Sequence, residues 1–586
     1  MRMKRMLLLA FVLILLPATL SLCVIRLVGV QVAYASPYTD IDVDTAYNMI
    51  TNGSYPDLVV LDVRTKSEYD RGHIYGAIWM SHSELEARIG ELAGHENEEI
   101  MVYCLSGGRS AAASDILDSY NFTNAYNMVG GISAWQSRGY PVWIATVHNV
   151  NTTFNYDTIQ AAIDAPQTLD GHTIFVDGGT YYEHVVLNKS LSLIGENRST
   201  TTIDGNYAGN VIKIIASNVK ITGFTVQNSY SNHPYCGIYI GEWTAGNNIS
   251  YNFITDNFYG IGLWNSSNNN SVYQNKITRN NFGVSLNTSS NNVISGNNIT
   301  KNLRGFLIKS CSDNNILCGN EITVNDFGVL LFGSSNNSVS GNEIIDNNYD
   351  GIQLSSAFNN TFSGNEITAN DHNGIRLDSS CNNRFYHNNL DNTQQLRIDL
   401  PSFANFWDDG VEGNYWSDYH GADTDYDGIG DSWYEIDENN TDHYPLMGMF
   451  SSFNTSQGNV YTVCNSTISD FQCYFDSENQ TNVIKFNVNG TIGIGFCRIC
   501  IPHTILNETY TILVDGHEPD YVNYTLYDND THRWIYFTYL HSIHEVIIIP
   551  EFPSFLILPL FMLATLLAAI IHRKKYFAIM IEHLVS

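Results

Sequence analysis

The sequence predicts a multidomain fold: an α/β domain, then a parallel β-helix, then a small antiparallel β-sandwich and a C-terminal transmembrane helix. Three observations carry this reading. Near the N-terminus, apolar strand-like runs alternate with helical stretches, the pattern of a parallel α/β sheet. In the middle, glycines and N-x-I groups recur every 22 or 23 residues, the mark of a solenoid. Toward the end, strands with alternating apolar residues lead into a long apolar run flanked by basic residues. The boundaries that follow are 1–35 for a signal peptide, 36–146 for the α/β domain and 147–449 for the solenoid. The sandwich takes 450–549, the transmembrane helix 552–571 and a cytoplasmic tail 572–586.

Charge and the two ends of the chain set its location. A formal net charge of -31 over 586 residues repels polyphosphate, which excludes nucleic-acid binding as a main role. The start "MRMKRMLLLAFVLILLPATLSLCVIRLVGVQVAYAS" is basic, then apolar, and ends in Ala33-Tyr34-Ala35, an export signal. "FPSFLILPLFMLATLLAAII" is long enough to span a bilayer, and His572, Arg573, Lys574 and Lys575 behind it belong on the cytoplasmic side. The expected location is a single-pass membrane protein with its main body outside. Sequons such as those at Asn121, Asn197, Asn248 and Asn298 suit an exposed surface.

In the first domain, "DLVVLDVR" (Asp57–Arg64), "EIMVYC" (Glu99–Cys104) and "NAYNMV" (Asn124–Val129) read as strands. Lys66–Asp70, Ser81–Leu92 and Ser110–Ser119 read as helices. Functional loops of such sheets lie at the carboxyl ends of strands, where Cys104 sits. The stretch "YCLSGGRSA" has the parts of a reactive thiol. Backbone N–H groups over Leu105, Ser106, Gly107 and Gly108 can form an anion nest, and the helix from Ser110 adds its positive end. Arg109 adds a fixed charge, and the two glycines allow the bend. Together these lower a thiol's pKa and hold an anionic substrate.

Three motifs in order, "LDVRTKSEYDRGHIYGAI", "YCLSGGRSA" and "MVGGISAWQSRGYPV", resemble a single-domain rhodanese, a sulfurtransferase. The resemblance implies a persulfide on Cys104, an anion cradle from Leu105 to Arg109, and site support from Asp62 and Arg64. Glu68, Gly72 and His73 also fit the family pattern, His73 in a structural role. Four residues separate Cys104 from Arg109; rhodanese-fold phosphatases have one more, so sulfur is favoured over phosphate. No cofactor is required. The partners implied are a small anionic sulfur donor and a thiol acceptor.

In the second domain, Gly260, Gly283, Gly305, Gly328, Gly351 and Gly374 share a period with Asn252, Asn275, Asn297, Asn320, Asn342 and Asn365. Stacked isoleucines and valines are expected to fill the bore, and stacked asparagines to pair their amides. The repeat resembles the right-handed β-helix of carbohydrate-binding and sugar-hydrolase proteins, particularly the NosD-like branch of archaeal surface proteins. Sugar cleavage would need paired carboxylates on one face, with Asp256, Asp326, Asp350 and Asp371 as candidates. Copper would need clustered His and Met, whereas His372 and His387 are isolated. A rigid binding stalk is the default.

"GADTDYDGIGDSWYEID" places Asp423, Asp425, Asp427 and Asp431 at loop positions that suit calcium, with Gly428 at the turn. The twelfth position is Tyr434, so the loop departs from an EF-hand; Glu435 could substitute. "NFWDDGVEGNYWSDYHG" beside it is aromatic enough for a sugar platform or a solenoid cap. Among ten cysteines, Cys464 and Cys473 could close a hairpin, while Cys497 and Cys500 lie three apart on a strand and face opposite sides. "PEF" (Pro550–Phe552) before the apolar helix resembles an archaeal sorting signal. The expected function is a cell-surface sulfurtransferase on a β-helical stalk. The alternatives are a non-enzymatic adhesion protein that binds surface glycans, and a polysaccharide-processing β-helix.

Overall fold

The computed structural model describes residues 38–550, apart from 53, 143–146, 153, 157, 400–402, 478–480, 492 and 507–509. The chain divides into two compact units, Met1–Ala145 and Thr146–Ser586. The signal-peptide and transmembrane expectations fall outside the described residues. Among the described residues no helix is long and apolar enough to cross a membrane.

The first unit is a parallel α/β sheet. Its elements are β1 (Thr39–Ile41), α1 (Val43–Thr51), β2 (Val59–Asp62), α2 (Lys66–Asp70), β3 (Ile78–Trp79), α3 (Leu85–Arg88), β4 (Ile100–Tyr103), α4 (Gly108–Ser119), β5 (Ala125–Met128) and α5 (Gly131–Ser137). The strand order is β1-β5-β4-β2-β3. β2 and β4 are central and wholly buried, which is why they read as continuous apolar runs. Two apolar cores cover the two faces, one around Tyr69, Tyr103 and Trp135, the other around Leu61, Val102 and Leu117. α2 starts in a capping box between Thr65 and Glu68. The expected helix Ser81–Leu92 is shorter: Ser81–Glu84 forms a turn, α3 follows, and Ile89–Leu92 winds as a 3₁₀ turn. Gly90 inside the run weakens helix propensity there.

In the second unit, three sheets of 10, 12 and 11 strands form the walls of a β-helix. Pairing between coils is parallel; at the entry Val147–Asn149 pairs antiparallel with both Asn155–Tyr156 and Thr173–Val176. The helix Ile159–Asp164 packs at that end, its first turn capped by Thr158. Equivalent residues stack coil on coil, for example Ile277, Ile299, Ile322, Ile344 and Ile367. These columns form one buried apolar cluster along the bore.

The spacing of the glycines has a steric cause. A Cβ on Gly260, Gly283, Gly305 or Gly328 would meet the carbonyl oxygen of the next glycine in the column at 2.4–2.7 Å. The asparagines form ladders. From Asn252 through Asn275, Asn297, Asn320, Asn342, Asn365 and Asn388 to Asn414, each backbone N–H donates to the next residue's side-chain oxygen at 2.9–3.1 Å. Two more ladders run in parallel, one from Asn257 to Asn392 and one from Asn247 to Asn440. These ladders pair turn N–H groups that would otherwise be buried without a partner.

The Asn252 ladder ends on Asp442. Its carboxylate accepts from the backbone N–H of Asn414 at 2.8 Å and from Trp416 Nε1 at 2.9 Å. Beyond it lies a sandwich of two antiparallel sheets. One is ordered Met449–Thr455, Gly458–Cys464, Ile494–Pro502, His532–Leu540, Tyr521–Asp528; the other Thr467–Asp476, Thr481–Asn489, Ile543–Pro550, Tyr510–Val514. Their inner faces share one core. Cys464 and Cys473 do not meet across a hairpin as the sequence suggested: Cys464 lies opposite Cys497 in the first sheet, and Cys473 opposite Ile484 in the second. Cys497 and Cys500 do face opposite ways, Cys497 into the sandwich core and Cys500 into a cleft outside it.

Burial pushes the Asp442 carboxyl up to about 6, against the pull of its N–H donors. Because the unfolded group titrates near 4, folding favours its protonated form. Its contribution is therefore full below about pH 4 and is lost as pH rises through about 6. Replacing Asp442 with Asn should shift unfolding free energy in the variant's favour by about 2–3 kcal/mol between pH 4 and pH 7. Urea titrations of both proteins across that range check this; parallel pH profiles would refute it.

Candidate active site

Cys104 follows β4 directly and is 1% exposed. Its sulfur accepts from the backbone N–H of Gly107 at 3.1 Å, and Ser110 Oγ stands 3.5 Å away. Ser110 Oγ is also 3.1 Å from the Gly107 carbonyl and 2.6 Å from Asn127 Oδ1. A hydroxyl has a single hydrogen, so Ser110 can turn it toward the sulfur or leave it on Asn127. Asn127 is held in turn by its own donation to Asp40 Oδ1 at 2.7 Å. Burial alone would raise the thiol, but donors from Ser110, Ser106 and Gly107 outweigh it and the pKa is lowered.

The loop is shaped from below by α5. Ile132 N–H donates to the Cys104 carbonyl at 2.9 Å and Ser133 N–H to the Leu105 carbonyl at 3.1 Å. With those carbonyls held by a helix N-terminus, the following N–H groups are free to turn to the sulfur. Gly131 makes the approach possible: a Cβ there would lie 2.4 Å from the Cys104 oxygen. Gly107 has φ +104, a backbone that favours glycine. The Leu105 side chain is 46% exposed, and Ser106 and Gly108 are exposed beside it.

Arg109 is not aimed at the sulfur alone. Its two Nη atoms grip the Glu68 carboxylate at 2.8 and 2.7 Å. Glu68 is held again by Thr65, from N–H at 3.0 Å and Oγ1 at 2.7 Å. The Arg109 guanidinium keeps the Glu68 carboxyl far below the usual carboxylate range. Arg109 is raised first by Glu68, and Cys104 adds to that effect, so the guanidinium charge also reaches the thiol. Asp62 and Arg64 form a separate buried pair at 2.6 Å. Arg64 also donates to the Gly72 carbonyl at 2.7 Å and lies 5.5 Å from the Tyr103 ring centroid. This pair ties the ends of β2 and β4 to the α2–β3 connection. His73 is buried, stacked on Tyr69 at 3.9 Å.

The rhodanese-like domain family matches residues 42–138. Thiosulfate sulfurtransferase 16 of Arabidopsis thaliana is 36% identical over 91 residues, 14% of this chain and 76% of that protein. Through this domain the chain belongs to the rhodanese-like family. The rhodanese unit of this protein is thus homologous to thiosulfate sulfurtransferases. Two further families match the second unit, a right handed beta helix region over residues 210–322 and the periplasmic copper-binding protein NosD over 276–421. A cell surface glycoprotein of Methanothermus fervidus is 38% identical over 114 residues, 20% of this chain and 18% of that one. YrkF of Bacillus subtilis is 37% identical over 81 residues, 14% of this chain and 43% of its own length.

The residues in the NosD-like stretch do not fit copper. His387 bonds Glu412 at 2.8 Å and stacks on Phe450 at 4.1 Å, while His372 packs against Tyr349. Among the described residues the one group of three metal-capable side chains is Asp423, Asp425 and Asp427, whose ligand atoms lie within 4.8 Å of one another. Asp431 is not part of it: its carboxylate accepts from Thr424 N–H at 2.8 Å and Oγ1 at 2.7 Å. Three of the four carboxylates considered for sugar cleavage are taken up by neighbouring coils, while Asp371 is exposed. Asp256 pairs with Arg279, Asp326 accepts from Asn348, and Asp350 accepts from Asn373.

A cleft of about 930 Å³ opens between the solenoid cap and the first sandwich sheet. Trp433, Tyr527, Asp409, Asp425 and Arg498 are among its walls. Trp433 is 62% and Tyr527 57% exposed. Arg498 binds Glu412 at 2.6 Å, yet its buried Nε has no partner.

Removing the Ser110 donor should move the thiol's titration upward. In Ser110→Ala, the midpoint of the pH profile for iodoacetamide alkylation of Cys104 should rise, with a severalfold slower reaction at neutral pH. An unchanged profile would mean that the backbone N–H groups alone set the thiol.

Proposed function

We propose that this is a cell-surface protein whose rhodanese unit transfers sulfane sulfur through a persulfide on Cys104. The observation that carries the reading is the Cys104 sulfur held among inward donors in a loop anchored by α5. The thiolate attacks the outer sulfur of a donor such as thiosulfate. The S–S bond breaks and sulfite leaves with the electron pair. An acceptor thiolate then attacks the outer sulfur of the persulfide, and Cys104 departs as thiolate. The same N–H groups that favour the thiolate favour the anionic persulfide. Arg109, fixed by Glu68, supplies the charge that draws the anionic donor. No step needs a cofactor. The surface location rests on the likeness to the Methanothermus fervidus glycoprotein and on the signal and anchor expected from the sequence.

Incubation with thiosulfate should add one sulfur to the intact mass of the wild type and none to Cys104→Ser. Cyanide should then remove the sulfur as thiocyanate. Glu68→Gln should lower kcat/KM about tenfold, ~1.4 kcal/mol, because Arg109 loses its clamp. No adduct from thiosulfate or from a small persulfide donor would overturn the reading.

A second reading concerns the cleft, and it is compatible with the first. Exposed Trp433 and Tyr527 offer flat apolar faces and carboxylates offer acceptors, a combination that suits a glycan. We propose in addition that Asp423, Asp425 and Asp427 hold a structural calcium ion beside it. Burial raises Asp423 and Asp427, and repulsion from Asp425 adds to it, so a cation would relieve the loop. Calcium should raise the melting temperature of the wild type by several degrees and leave Asp425→Asn unmoved. A glycan screen with and without calcium should give binding that Trp433→Ala abolishes and Cys104→Ser retains.

A further inference from the structure

Two cysteines outside the sulfur-transfer loop face each other. Cys464 ends the strand Gly458–Cys464, and Cys497 lies in the neighbouring antiparallel strand Ile494–Pro502. Their register sets Cys464 directly opposite Cys497. Directly opposed residues of an antiparallel pair have Cα atoms about 4.5–5.5 Å apart, inside the range of about 4.4–6.8 Å that a disulfide spans. Both side chains point into the sandwich core, 1% and 0% exposed. The Cys464 sulfur has the Ser466 N–H at 3.4 Å and Tyr539 Oη at 3.3 Å. Tyr539 Oη donates onward to Ser466 Oγ at 2.8 Å. The other cysteines of the sandwich have no such opposite number. Cys500 faces the cleft, across from Tyr461 and Trp534, and Cys473 lies opposite Ile484 in the other sheet.

We propose that Cys464 and Cys497 form a disulfide that staples these two strands when the protein folds in an oxidising compartment. The oxidant is a disulfide of a thiol–disulfide exchange partner. The Cys464 thiolate attacks one of its sulfurs, giving a mixed disulfide and expelling the other sulfur as thiolate. The Cys497 thiolate then attacks the Cys464 sulfur and expels the partner's remaining sulfur. The protein has lost two protons and two electrons, and the partner is reduced to its thiols. Because both sulfurs lie in the core, exchange belongs to the stage before the sheets close. The finished bond is then shielded from reductants, while Cys104, whose chemistry needs a thiolate, lies in the other unit.

The proposal is tested by peptide mapping. The full-length wild type is refolded with reduced and oxidised glutathione, its thiols are trapped with N-ethylmaleimide in acid denaturant, and the chain is digested without reduction. The expected result is a peptide pair linked between Cys464 and Cys497, two hydrogens lighter than the reduced peptides, with Cys104 carrying the trap. The linkage should survive reductant in native buffer and be lost when denaturant is added. The melting temperature should fall by more than about 5 °C in Cys464→Val/Cys497→Val. Recovery of both cysteines as trapped thiols, or linkage of either to Cys473 or Cys500, would overturn the proposal. The mapping is read on the wild type, so failure of the variant to fold leaves it decisive.

Discussion

The reactive loop rests on the backbone bond from Ile132 N–H to the Cys104 carbonyl. A buried carbonyl must find a donor, and α5 supplies it from its first turn. Once the Cys104 and Leu105 carbonyls are fixed outward, the loop's N–H groups face the sulfur. Gly131 permits this contact, since any side chain would occupy the carbonyl's place. The depressed thiol follows from that placement, and so does the role of Ser110, whose hydroxyl is shared between the sulfur and Asn127. Arg109 depends on another element, because Glu68 is part of the cap of α2. The site is therefore a junction of α2, α4 and α5 above β4.

The solenoid answers the same requirement by repetition. Each turn carries N–H groups with no neighbour in their own coil, and an asparagine from the next coil accepts them. The ladder works only at a fixed rise, and the glycine column sets that rise by letting successive backbones approach. At the open end the series needs a terminal acceptor. Asp442 provides one, and it accepts from Trp416 as well as Asn414, so the cap is polar inside an aromatic shell. The cost of that choice is a buried carboxyl that resists ionisation.

What the sequence made legible was local. Cys104, Gly107, Gly108, Arg109 and Ser110 lie within one short stretch, so the loop's chemistry could be read directly. Glu68, 41 residues before Arg109, could not be tied to it by spacing, nor could Asn127 and Asp40 be tied to Ser110. The signal for Gly130 and Gly131 was the quoted "MVGGISAWQ" motif, but its contact with the loop exists only in three dimensions. The Asn252 column was legible by its period; the Asn247 and Asn257 columns share that period and could have been found the same way. Asp431 stands apart from Asp423, Asp425 and Asp427 for a backbone reason. After Gly428, Gly430 N–H binds the Pro445 carbonyl and Asp431 N–H the Ala422 carbonyl, both at 2.8 Å. That path sends the Asp431 carboxylate to Thr424.

The cysteines show how environment divides one functional group into several roles. Burial without donors pushes Cys236 well above the ordinary thiol range, and Cys500 up to about 12. Such thiols remain protonated and pack as small apolar groups. Cys104 is also buried, yet donors converge on its sulfur and the balance reverses. In the sulfur transfer proposed above, burial would keep water and stray thiols from a Cys104 persulfide, and the inward donors would stabilise its charge. A nucleophile that must hold a labile sulfur benefits from both at once, which a solvent-exposed cysteine could not provide. In that proposal the side open to a donor and an acceptor is the loop at Leu105, Ser106 and Gly108, since those residues are exposed while the sulfur beneath them is not.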